Sequence, residues 1–232
     1  MFAYFTDLAA VSARGWLLIG TALAGSYLVG SIPWSYLIVK WVTGEDITTH
    51  GTGNVGAMNV RRTTGSWAWF TLAMVLDGLK GLLSVLGVYA FMASRPDLGG
   101  QWPPAYAAQA AVMGAVLGHD FSLWLSLAKK RVLGGKGLAT GGGALLAYDP
   151  VYFLVVLAVG LGTIALTRYM MAGQVAAAVA LPVFALASGA WDWPFALLAG
   201  TLIYVRHHRR FVGLLRGEEP RLYVEDRMGP RG

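Results

Sequence analysis

Cysteine is absent from this chain of 232 residues, and charged residues make up only 13% of it. The absence of thiols excludes disulfides, thiolate metal sites and cysteine nucleophiles. No grouping of residues has the spacing typical of a metal site. The N-terminus also lacks the basic cluster of a secretory signal peptide and carries Asp7 before the first long apolar run, so we expect the first helix to stay attached.

Apolar residues account for most of what is present. Hydrophobic residues make up 56% of the chain, nine residues are tryptophan, and the mean hydropathy is +0.56. This composition is too apolar for a soluble domain of this length. A bilayer accounts for it, because a spanning helix needs about 20 apolar residues. We therefore predict an all-α integral membrane protein that forms a single domain over residues 1–232.

Six apolar runs follow one another along the chain. They cover residues 16–42, 66–92, 105–127, 137–166, 171–188 and 191–205. Most of the Lys and Arg residues lie in three patches outside these runs, at 43–65, 128–136 and 206–232. Because basic loops stay on the cytoplasmic side of a membrane, we expect these patches to face the cytoplasm. The same placement explains the net charge of +6 without a nucleic-acid partner.

The charge rule also counts the membrane crossings. A path from a cytoplasmic Lys136 to a cytoplasmic Arg206 needs an even number of crossings, so the run 137–166 must be divided. The break is expected at Asp149-Pro150, because proline does not continue a helix and restricts the residue before it. The prediction is seven transmembrane segments, with the N-terminus outside and the tail 206–232 in the cytoplasm. Segment 137–148 is glycine-rich and short, so it is expected inside the bundle or re-entrant.

A first glycine-rich stretch, DITTHGTGNVGAMNVRR at residues 46–62, contains the dinucleotide-binding spelling G-x-G-x-x-G. We reject that function, because the fingerprint requires a preceding strand and Asp77, the acidic residue at the right distance, falls inside a predicted membrane helix. Glycines can still bring backbone N–H groups together on an anion. Asn54, Asn59, Arg61 and Arg62 would add side-chain donors. An ordinary flexible interfacial loop is the alternative.

A second glycine-rich stretch, VLGGKGLATGGG, covers residues 132–143. A Walker A loop is excluded, because Lys130 and Gly137 stand where that motif has a glycine and a hydroxyl residue. A lysine among glycines still suits a phosphate group, so we interpret residues 134–137 as an anion site. For residues 141–143 we favour close packing between membrane helices.

Ionisable residues at predicted membrane depth form a third feature: Asp77, Lys80, His119 and Asp120. Such groups are costly in hydrocarbon and are usually paired or functional. Asp77 and Lys80 lie three residues apart on one helical face, so we expect an ion pair, with Lys80 the member that reaches a substrate. His119 is expected to be a satisfied histidine near the cytoplasmic end of its helix.

Seven short stretches resemble one known family in order and spacing. They are GSIPWSYLIVK, GTGNVGAMNVRR, DGLKG, GHDF, GGKGLATG, TRY and RHHRRFVGLLRGEE, and they span about residues 30–219. Together they resemble the bacterial acyl-phosphate:glycerol-3-phosphate acyltransferase family, PlsY. The resemblance implies seven helices in the bacterial inner membrane with an active site facing the cytoplasm. It also implies acyl transfer from acyl phosphate to the 1-hydroxyl of glycerol-3-phosphate, which yields lysophosphatidic acid and phosphate in phospholipid biosynthesis.

The resemblance also implies roles for individual residues. Thr52, Asn54 and His207 are expected to be catalytic, and Glu219 structural. Substrate binding is expected at Gly53, Gly56, Asn59, Arg62, Lys80, Gly134, Gly135, Lys136, Gly137 and Arg210. Lys80 is included because of its predicted position at membrane depth, and the others because of the resemblance. Among these, Arg62 and Lys136, together with His207, would grip the phosphate of glycerol-3-phosphate.

The residues present agree with this chemistry. Both substrates are phosphate anions, so glycine loops with Arg and Lys suit them. Acyl phosphate is already activated, so the enzyme mainly positions and neutralises its substrates, without a covalent intermediate, cofactor or metal. The spacing His-x-x-x-x-Asp, which marks another large class of glycerol-phosphate acyltransferases, follows none of the four histidines. We expect a monomer whose partners are acyl phosphate, glycerol-3-phosphate and membrane lipid.

Five positions depart from the family pattern. Thr52 replaces serine, Met58 replaces threonine, Arg210 replaces asparagine, and Met171 and Gln174 stand where serines are common. The longer, charged Arg210 must change the geometry of the pocket. A divergent relative that binds phosphorylated lipid or acyl phosphate without this activity therefore stays open. A small anion transporter is a further alternative, based on the buried Asp77–Lys80 pair and the broken fourth segment.

Overall fold

The computed structural model describes residues 3–95, 104–219 and 221. All regular structure in these residues is helical, with one short 3-10 turn at Ile47–Thr49. The helices are α1 (Ala3–Ala9), α2 (Ala13–Gly30), α3 (Trp34–Thr43), α4 (Ala57–Thr64), α5 (Trp67–Ser94), α6 (Pro104–Asp120), α7 (Leu123–Lys129), α8 (Leu138–Tyr148), α9 (Pro150–Thr167), α10 (Met170–Ala187) and α11 (Trp193–Leu215).

Five stretches among the described residues are long and apolar enough to cross a membrane. They are Ala13–Thr43, Trp67–Ser94, Pro104–Lys129, Pro150–Thr167 and Met170–Ala187. The prediction of an all-helical protein with membrane-spanning segments is confirmed at this level. The helix α8 has 11 residues and is therefore about 16 Å long, roughly half the hydrocarbon thickness of a bilayer.

The predicted division of the run 137–166 is confirmed. The helix α8 ends at Tyr148 and α9 begins at Pro150, as expected for a proline in the first turn of a helix. Asp149 lies between them and caps α9, because its Oδ1 accepts a hydrogen bond from the N–H of Val151 at 2.8 Å.

Two other predicted runs are interrupted, which the sequence analysis did not anticipate. The first run divides into α2 and α3 at residues 31–33, where Pro33 precedes α3. The third divides into α6 and α7 at residues 121–122, and Ser122 caps α7. At the first break the carbonyl oxygen of Ile32 accepts a hydrogen bond from Lys80, and at the second the N–H of Ser122 donates to the carbonyl oxygen of Leu133. The helix α4 was likewise not predicted, because its residues belong to a polar, basic patch.

Small residues allow the helices to approach closely. A Cβ atom at Gly81 of α5 would overlap the carbonyl oxygen of Thr140 on α8, and one at Gly143 of α8 would overlap the carbonyl oxygen of Gly78 on α5. The interpretation of residues 141–143 as a packing run is therefore confirmed at Gly143. This contact places the N-terminal turn of α8 against the middle of α5.

The helices α6, α8 and α11 each run between two polar ends of the bundle. One, which we call the loop end, is formed by residues 44–56, 130–137 and 206–219. The other, the tyrosine clasp, consists of Tyr4, Gln109, Tyr148, Tyr152 and Asp192. Tyr148 and Tyr152 each donate a hydrogen bond to the Asp192 carboxylate at 2.6 Å. Gln109 joins Tyr148 to Tyr4, through bonds of 2.8 and 2.9 Å.

Candidate active site

The first glycine loop, residues 50–56, has backbone geometry that requires glycine. Gly51 and Gly53 have φ angles of +51° and +68°, in the left-handed region. A Cβ atom at Gly56 would lie 2.9 Å from Nδ2 of Asn54, so the Asn54 side chain would have to shift. The loop therefore needs Gly51 and Gly53 for its own shape, and this shape leaves Thr52 and Asn54 half-buried at the loop end.

Asn59 of α4 holds the first loop together. Its side chain is 1% exposed, and its Nδ2 lies 3.0–3.1 Å from the carbonyl oxygens of Ile47, His50 and Asn54. Its Oδ1 accepts a hydrogen bond from the N–H of Thr52 at 3.3 Å. The polar atoms of Asn59 are thus engaged by the loop itself. Substrate contact at Asn59 stays a prediction, and the structure shows its side chain bonded within the loop.

The second loop, which we call the glycine-lysine loop, covers residues 134–137 and lies against the end of α6. The N–H of Gly135 donates to the carbonyl oxygen of His119 at 2.8 Å. A Cβ atom at Gly135 would overlap the His119 imidazole, and one at Gly134 would overlap the carbonyl oxygen of Asp120. The two glycine loops are joined directly, because the N–H of Val55 donates to the carbonyl oxygen of Gly134 at 3.2 Å.

Lys136 lies in a strongly positive environment. Burial is the main cause that lowers its pKa, to about 8. The positive charges of Arg210, Arg206 and Arg62 act in the same direction, and Glu219 opposes them. Basic groups from α4, the glycine-lysine loop and α11 therefore act on one another at the loop end. Such a concentration of cations attracts an anion.

The N-terminus of α8 adds backbone donors to this environment. Gly137, with a φ of +64°, caps the helix, and the first helical hydrogen bond runs from the N–H of Gly141 to the carbonyl oxygen of Gly137. The N–H groups of the first turn, residues 138–140, therefore have no partner within the helix. Backbone N–H groups at a helix N-terminus and a neighbouring lysine are donors of the kind that phosphate groups accept from.

His207 of α11 presents a ring nitrogen with no hydrogen-bond partner. The side chain is 1% exposed, and its Nδ1 lies 2.7 Å from the carbonyl oxygen of Ile203. Because a carbonyl oxygen only accepts, the proton of the neutral ring sits on Nδ1 and Nε2 carries a lone pair. Nε2 is buried and unpartnered. It is therefore available to accept a hydrogen bond from a hydroxyl group.

Arg210 and Glu219 form a bidentate ion pair that the sequence analysis did not predict. Nε of Arg210 donates to Oε1 of Glu219 at 2.8 Å, and Nη2 donates to Oε2. The contact fastens the chain after α11 back onto the helix, as a structural glutamate would. It also neutralises the charge of Arg210, which was expected to bind substrate. The structure thus shows Arg210 engaged with Glu219, although its field still reaches Lys136.

A buried polar cluster lies beneath the glycine-lysine loop. The expected ion pair is confirmed, with 2.9 Å between Nζ of Lys80 and Oδ1 of Asp77, and both side chains are 3% exposed. The Lys80 ammonium also donates to the carbonyl oxygen of Ile32 at 2.9 Å. Nδ1 of His119 lies 3.5 Å from the same Asp77 oxygen. Since His119 packs against Gly135, this cluster supports the loop, and Lys80 faces Asp77 and the α2–α3 break.

An apolar groove begins beside the glycine-lysine loop and follows α8. It is bordered by α6, α8, α9, α10 and α11. Its lining includes Leu138 and Ile203 near the loop end, and Leu145 and Leu181 farther along. The surrounding side chains offer hydrocarbon almost throughout. The first turn of α8 and the apolar groove therefore lie next to each other.

Comparison with known proteins identifies the family. The family model described as glycerol-3-phosphate acyltransferase matches residues 20–217. The chain belongs to the glycerol-3-phosphate acyltransferase family. A member from Thermus thermophilus is 39% identical over 199 residues, which are 85% of this chain and 92% of that protein. One from Thermosynechococcus vestitus is 35% identical over 215 residues, 89% of this chain and 96% of the relative.

Solved structures agree with this family. The crystal structure of PlsY, an integral membrane glycerol 3-phosphate acyltransferase, in its glycerol 3-phosphate form has a TM-score of 0.72 and 30% identity, and covers 88% of this chain and 94% of that one. The lysophosphatidic acid form has a TM-score of 0.68 and 29% identity, with coverages of 90% and 95%. The helical membrane fold is therefore shared with an acyltransferase of this family.

The departures from the acyltransferase family pattern occupy different environments. Met171, at the start of α10, is 1% exposed and fills apolar space where a serine is common in the family. Gln174, one turn later, is half-buried. Thr52 keeps its hydroxyl at the loop end. Arg62 of α4 lies beside the first loop, with its Cδ 3.5 Å from the position of a Cβ at Gly51.

One basic residue at this acyltransferase site was missed by the sequence analysis. Arg206 contacts both the end of α6 and the glycine-lysine loop, through hydrogen bonds to backbone carbonyl oxygens. Its neighbour His207 was identified, so the available signal was that both residues lie in the stretch RHHRRFVGLLRGEE. A sequence does not show which carbonyl groups a side chain will meet, and this contact becomes visible only in three dimensions.

Proposed function

We propose that the protein transfers an acyl chain from acyl phosphate to the 1-hydroxyl of glycerol-3-phosphate, forming lysophosphatidic acid and phosphate for phospholipid synthesis. The observation that carries this proposal is the convergence of two glycine loops, Lys136 and an unpartnered Nε2 of His207 at one end of the bundle. Membership of the glycerol-3-phosphate acyltransferase family supports the same reaction.

In the proposed reaction the hydroxyl oxygen attacks the carbonyl carbon of the acyl phosphate. A carbon–oxygen ester bond forms, and the bond from the carbonyl carbon to the phosphate oxygen breaks. The hydroxyl proton leaves through the phosphate of the glycerol substrate and ends on the released phosphate, so atoms and charges balance. Lys136, Arg62 and the first turn of α8 neutralise the phosphate groups and hold them in place.

His207 takes part by orienting the hydroxyl group. Its Nδ1 proton is held by the Ile203 carbonyl oxygen, so Nε2 offers a lone pair. A lone pair suits a hydroxyl donor better than it suits a phosphate oxygen. This assignment modifies the role in phosphate binding that the family resemblance implied for His207. Thr52 and Asn54 are proposed to line the same site from the first glycine loop.

The apolar groove along α8 is proposed to hold the hydrocarbon chain of the acyl donor. It starts where the phosphate site ends, at Leu138, and its walls offer hydrocarbon contacts. The acyl carbonyl carbon would then lie between the groove and the phosphate site. Leu145→Trp fills part of this groove and is therefore expected to reduce turnover of long-chain acyl donors more than that of short-chain donors.

The proposed membrane arrangement has seven segments, formed by the five apolar stretches together with α8 and α11. The N-terminus lies outside, and the loop end and the tail face the cytoplasm of the bacterial inner membrane. The basic residues concentrated at the loop end support this orientation. Labelling of single cysteines, placed at Thr52 and Ser188 in this cysteine-free chain, tests it: cytoplasmic accessibility is expected only at residue 52.

Purified protein in detergent or nanodiscs provides the test of the function. With acyl phosphate and glycerol-3-phosphate it is expected to release phosphate and form the lysolipid in equal amounts. Folded wild-type protein that forms no lysolipid would exclude the proposal. Liposomes that contain the protein are expected to show no phosphate flux, which separates the enzyme from an anion transporter.

A further inference from the structure

Arg206 binds two backbone carbonyl groups that belong to different elements. Its Nη2 lies 3.0 Å from the carbonyl oxygen of Asp120, at the end of α6, and 2.9 Å from that of Gly135. Its guanidinium carbon lies 4.6 Å from the centroid of the Phe121 ring, a favourable cation–π distance. This side chain of α11 therefore contacts the end of α6, the aromatic residue that follows it and the glycine-lysine loop.

Both backbone polar groups of Gly135 are hydrogen-bonded. Its N–H donates to the His119 carbonyl oxygen at 2.8 Å, and its own carbonyl oxygen accepts from Arg206. In a planar trans peptide the carbonyl group of Gly135 and the N–H of Lys136 point in opposite directions. Fixing that carbonyl group therefore also fixes the direction of the Lys136 N–H and the position of the Lys136 Cα atom, from which the side chain starts.

The charge of Arg206 lies next to a buried carboxylate. Its Nε lies 3.5 Å from Oδ2 of Asp120, whose side chain is fully buried. This carboxylate offsets a positive charge that would otherwise repel Lys136 without compensation. Because its contacts are backbone carbonyl groups, a buried carboxylate and an aromatic ring, Arg206 acts on the reaction through the loop.

We propose that Arg206 is a positioning residue that fixes the glycine-lysine loop, so that Lys136 meets the phosphate of the substrate. The kinetic part of this proposal rests on the proposed acyltransferase function. It makes Arg206 responsible for the affinity of the site for phosphate groups, and it leaves the chemistry itself to the residues that contact the substrate.

The first experiment measures Arg206→Gln and Arg206→Lys by phosphate release. Arg206→Gln is expected to raise the KM for glycerol-3-phosphate about tenfold or more, and the inhibition constant of inorganic phosphate in parallel, with a smaller change in kcat. Arg206→Lys retains a charged donor, so its KM is expected to lie between that of wild type and that of Arg206→Gln. Arg209→Gln, an exposed basic residue on the same helix, is the matched control and should behave like wild type. A merely structural role would lower the amount of active enzyme at an unchanged KM.

A double-mutant cycle tests whether Arg206 acts through Lys136. If it does, Arg206→Gln should raise the KM little further in a Lys136→Ala background. Additive effects would show instead that Arg206 contributes independently, and would overturn the proposal.

Amide hydrogen exchange provides a readout that does not depend on activity. In Arg206→Gln the exchange of residues 133–138 is expected to rise at least tenfold, whereas the first glycine loop changes less. A folded Arg206→Gln protein with unchanged exchange and unchanged KM would refute the positioning role. If the wild type is inactive but Arg206→Gln still raises the exchange of residues 133–138, the proposed function is refuted and the positioning of the loop by Arg206 stands.

Discussion

The loop end and the tyrosine clasp bury polar groups in different ways. At the clasp, both oxygens of Asp192 accept hydrogen bonds from tyrosine hydroxyl groups, and Gln109 continues the chain to Tyr4. At the loop end several buried atoms among the described residues have no hydrogen-bond partner. They include Nε2 of His207 and, on the helix ends that contact the loop end, both carboxylate oxygens of Asp120 and Oγ1 of Thr140. Oδ2 of Asp120 lies 3.5 Å from Nε of Arg206, as an ion pair without a hydrogen bond. Among the described residues, the five side chains of the clasp have no such atom, and the neighbouring Trp193 has one, its Nε1.

This difference separates a structural network from a binding site. A buried polar group without a partner costs free energy, so a network that exists for stability is normally satisfied. A site that binds a polar ligand has to leave donors and acceptors available and to keep its charges unbalanced until the ligand arrives. We therefore expect changes at the loop end to alter substrate affinity and turnover, and changes at the clasp to alter stability.

The largest expected effect is that of Lys136→Ala. Loss of a charged contact to phosphate should raise the KM for glycerol-3-phosphate about 10- to 100-fold, because hydrogen bonds to charged groups contribute about 1.5–3 kcal/mol. The melting temperature should stay the same or rise, since a half-buried cation among other cations is removed. Steady-state phosphate release and thermal unfolding check the two parts, and a lowered melting temperature at unchanged KM would place Lys136 among structural residues.

A second loop-end prediction concerns Gly135→Ala. The new methyl group overlaps the His119 ring, so the loop must move, and kcat/KM is expected to fall about tenfold or more. Gly25→Ala is the matched control, because a Cβ there meets no atom within 4 Å. Equal activity of the two variants would contradict the close contact between the glycine-lysine loop and α6.

The pH dependence of substrate affinity gives a third, smaller effect. Lys136 has a pKa of about 8, below its ordinary value, so its phosphate-binding ammonium form is lost as the pH rises past 8. The KM for glycerol-3-phosphate should rise about tenfold between pH 7 and pH 9. Because this pKa lies below the ordinary value of 10.5, the protonated lysine lowers the free energy of unfolding at pH values below 8. This cost decreases as the pH rises from about 8 to 10.5. Lys136→Arg should flatten the KM profile; an unchanged profile would assign the titration to another group.

The smallest effect on activity is expected at the clasp. Tyr152→Phe removes one hydrogen bond to Asp192 and should lower the free energy of unfolding by about 1–3 kcal/mol, because a buried carboxylate oxygen loses its donor. The KM for glycerol-3-phosphate should stay within about twofold of wild type. Thermal unfolding and kinetics of the same preparation check this, with Tyr204→Phe, an exposed tyrosine, as the control. A large change in KM would remove the distinction between the two ends.

The sequence was informative where a local rule or a close pair decides the structure. Proline chemistry located the boundary between α8 and α9, and helical spacing identified the Asp77–Lys80 ion pair. The glycine spellings indicated two loops of exposed backbone, and the structure joins them through Val55 and Gly134. Each of these features depends on residues within a few positions of one another, or on a motif quoted as a unit.

The features that the sequence did not reveal depend on distant neighbours. The pairing of Arg210 with Glu219 depends on how the chain turns back after α11. Asn59 looks like any loop asparagine in sequence, yet three carbonyl groups surround it. Arg206 meets Gly135, 71 residues earlier in the chain. A residue type indicates what a side chain can bind, and the fold decides which of the possible partners it meets.

The most direct test of the account compares Lys136→Ala with Tyr152→Phe in one phosphate-release assay at varied glycerol-3-phosphate. Wild type is expected to form lysolipid and phosphate in equal amounts. Lys136→Ala should raise the KM at least tenfold, whereas Tyr152→Phe should leave it unchanged. An unchanged KM in a folded, active Lys136→Ala protein would contradict the central claim that the glycine-lysine loop binds the phosphate of the substrate.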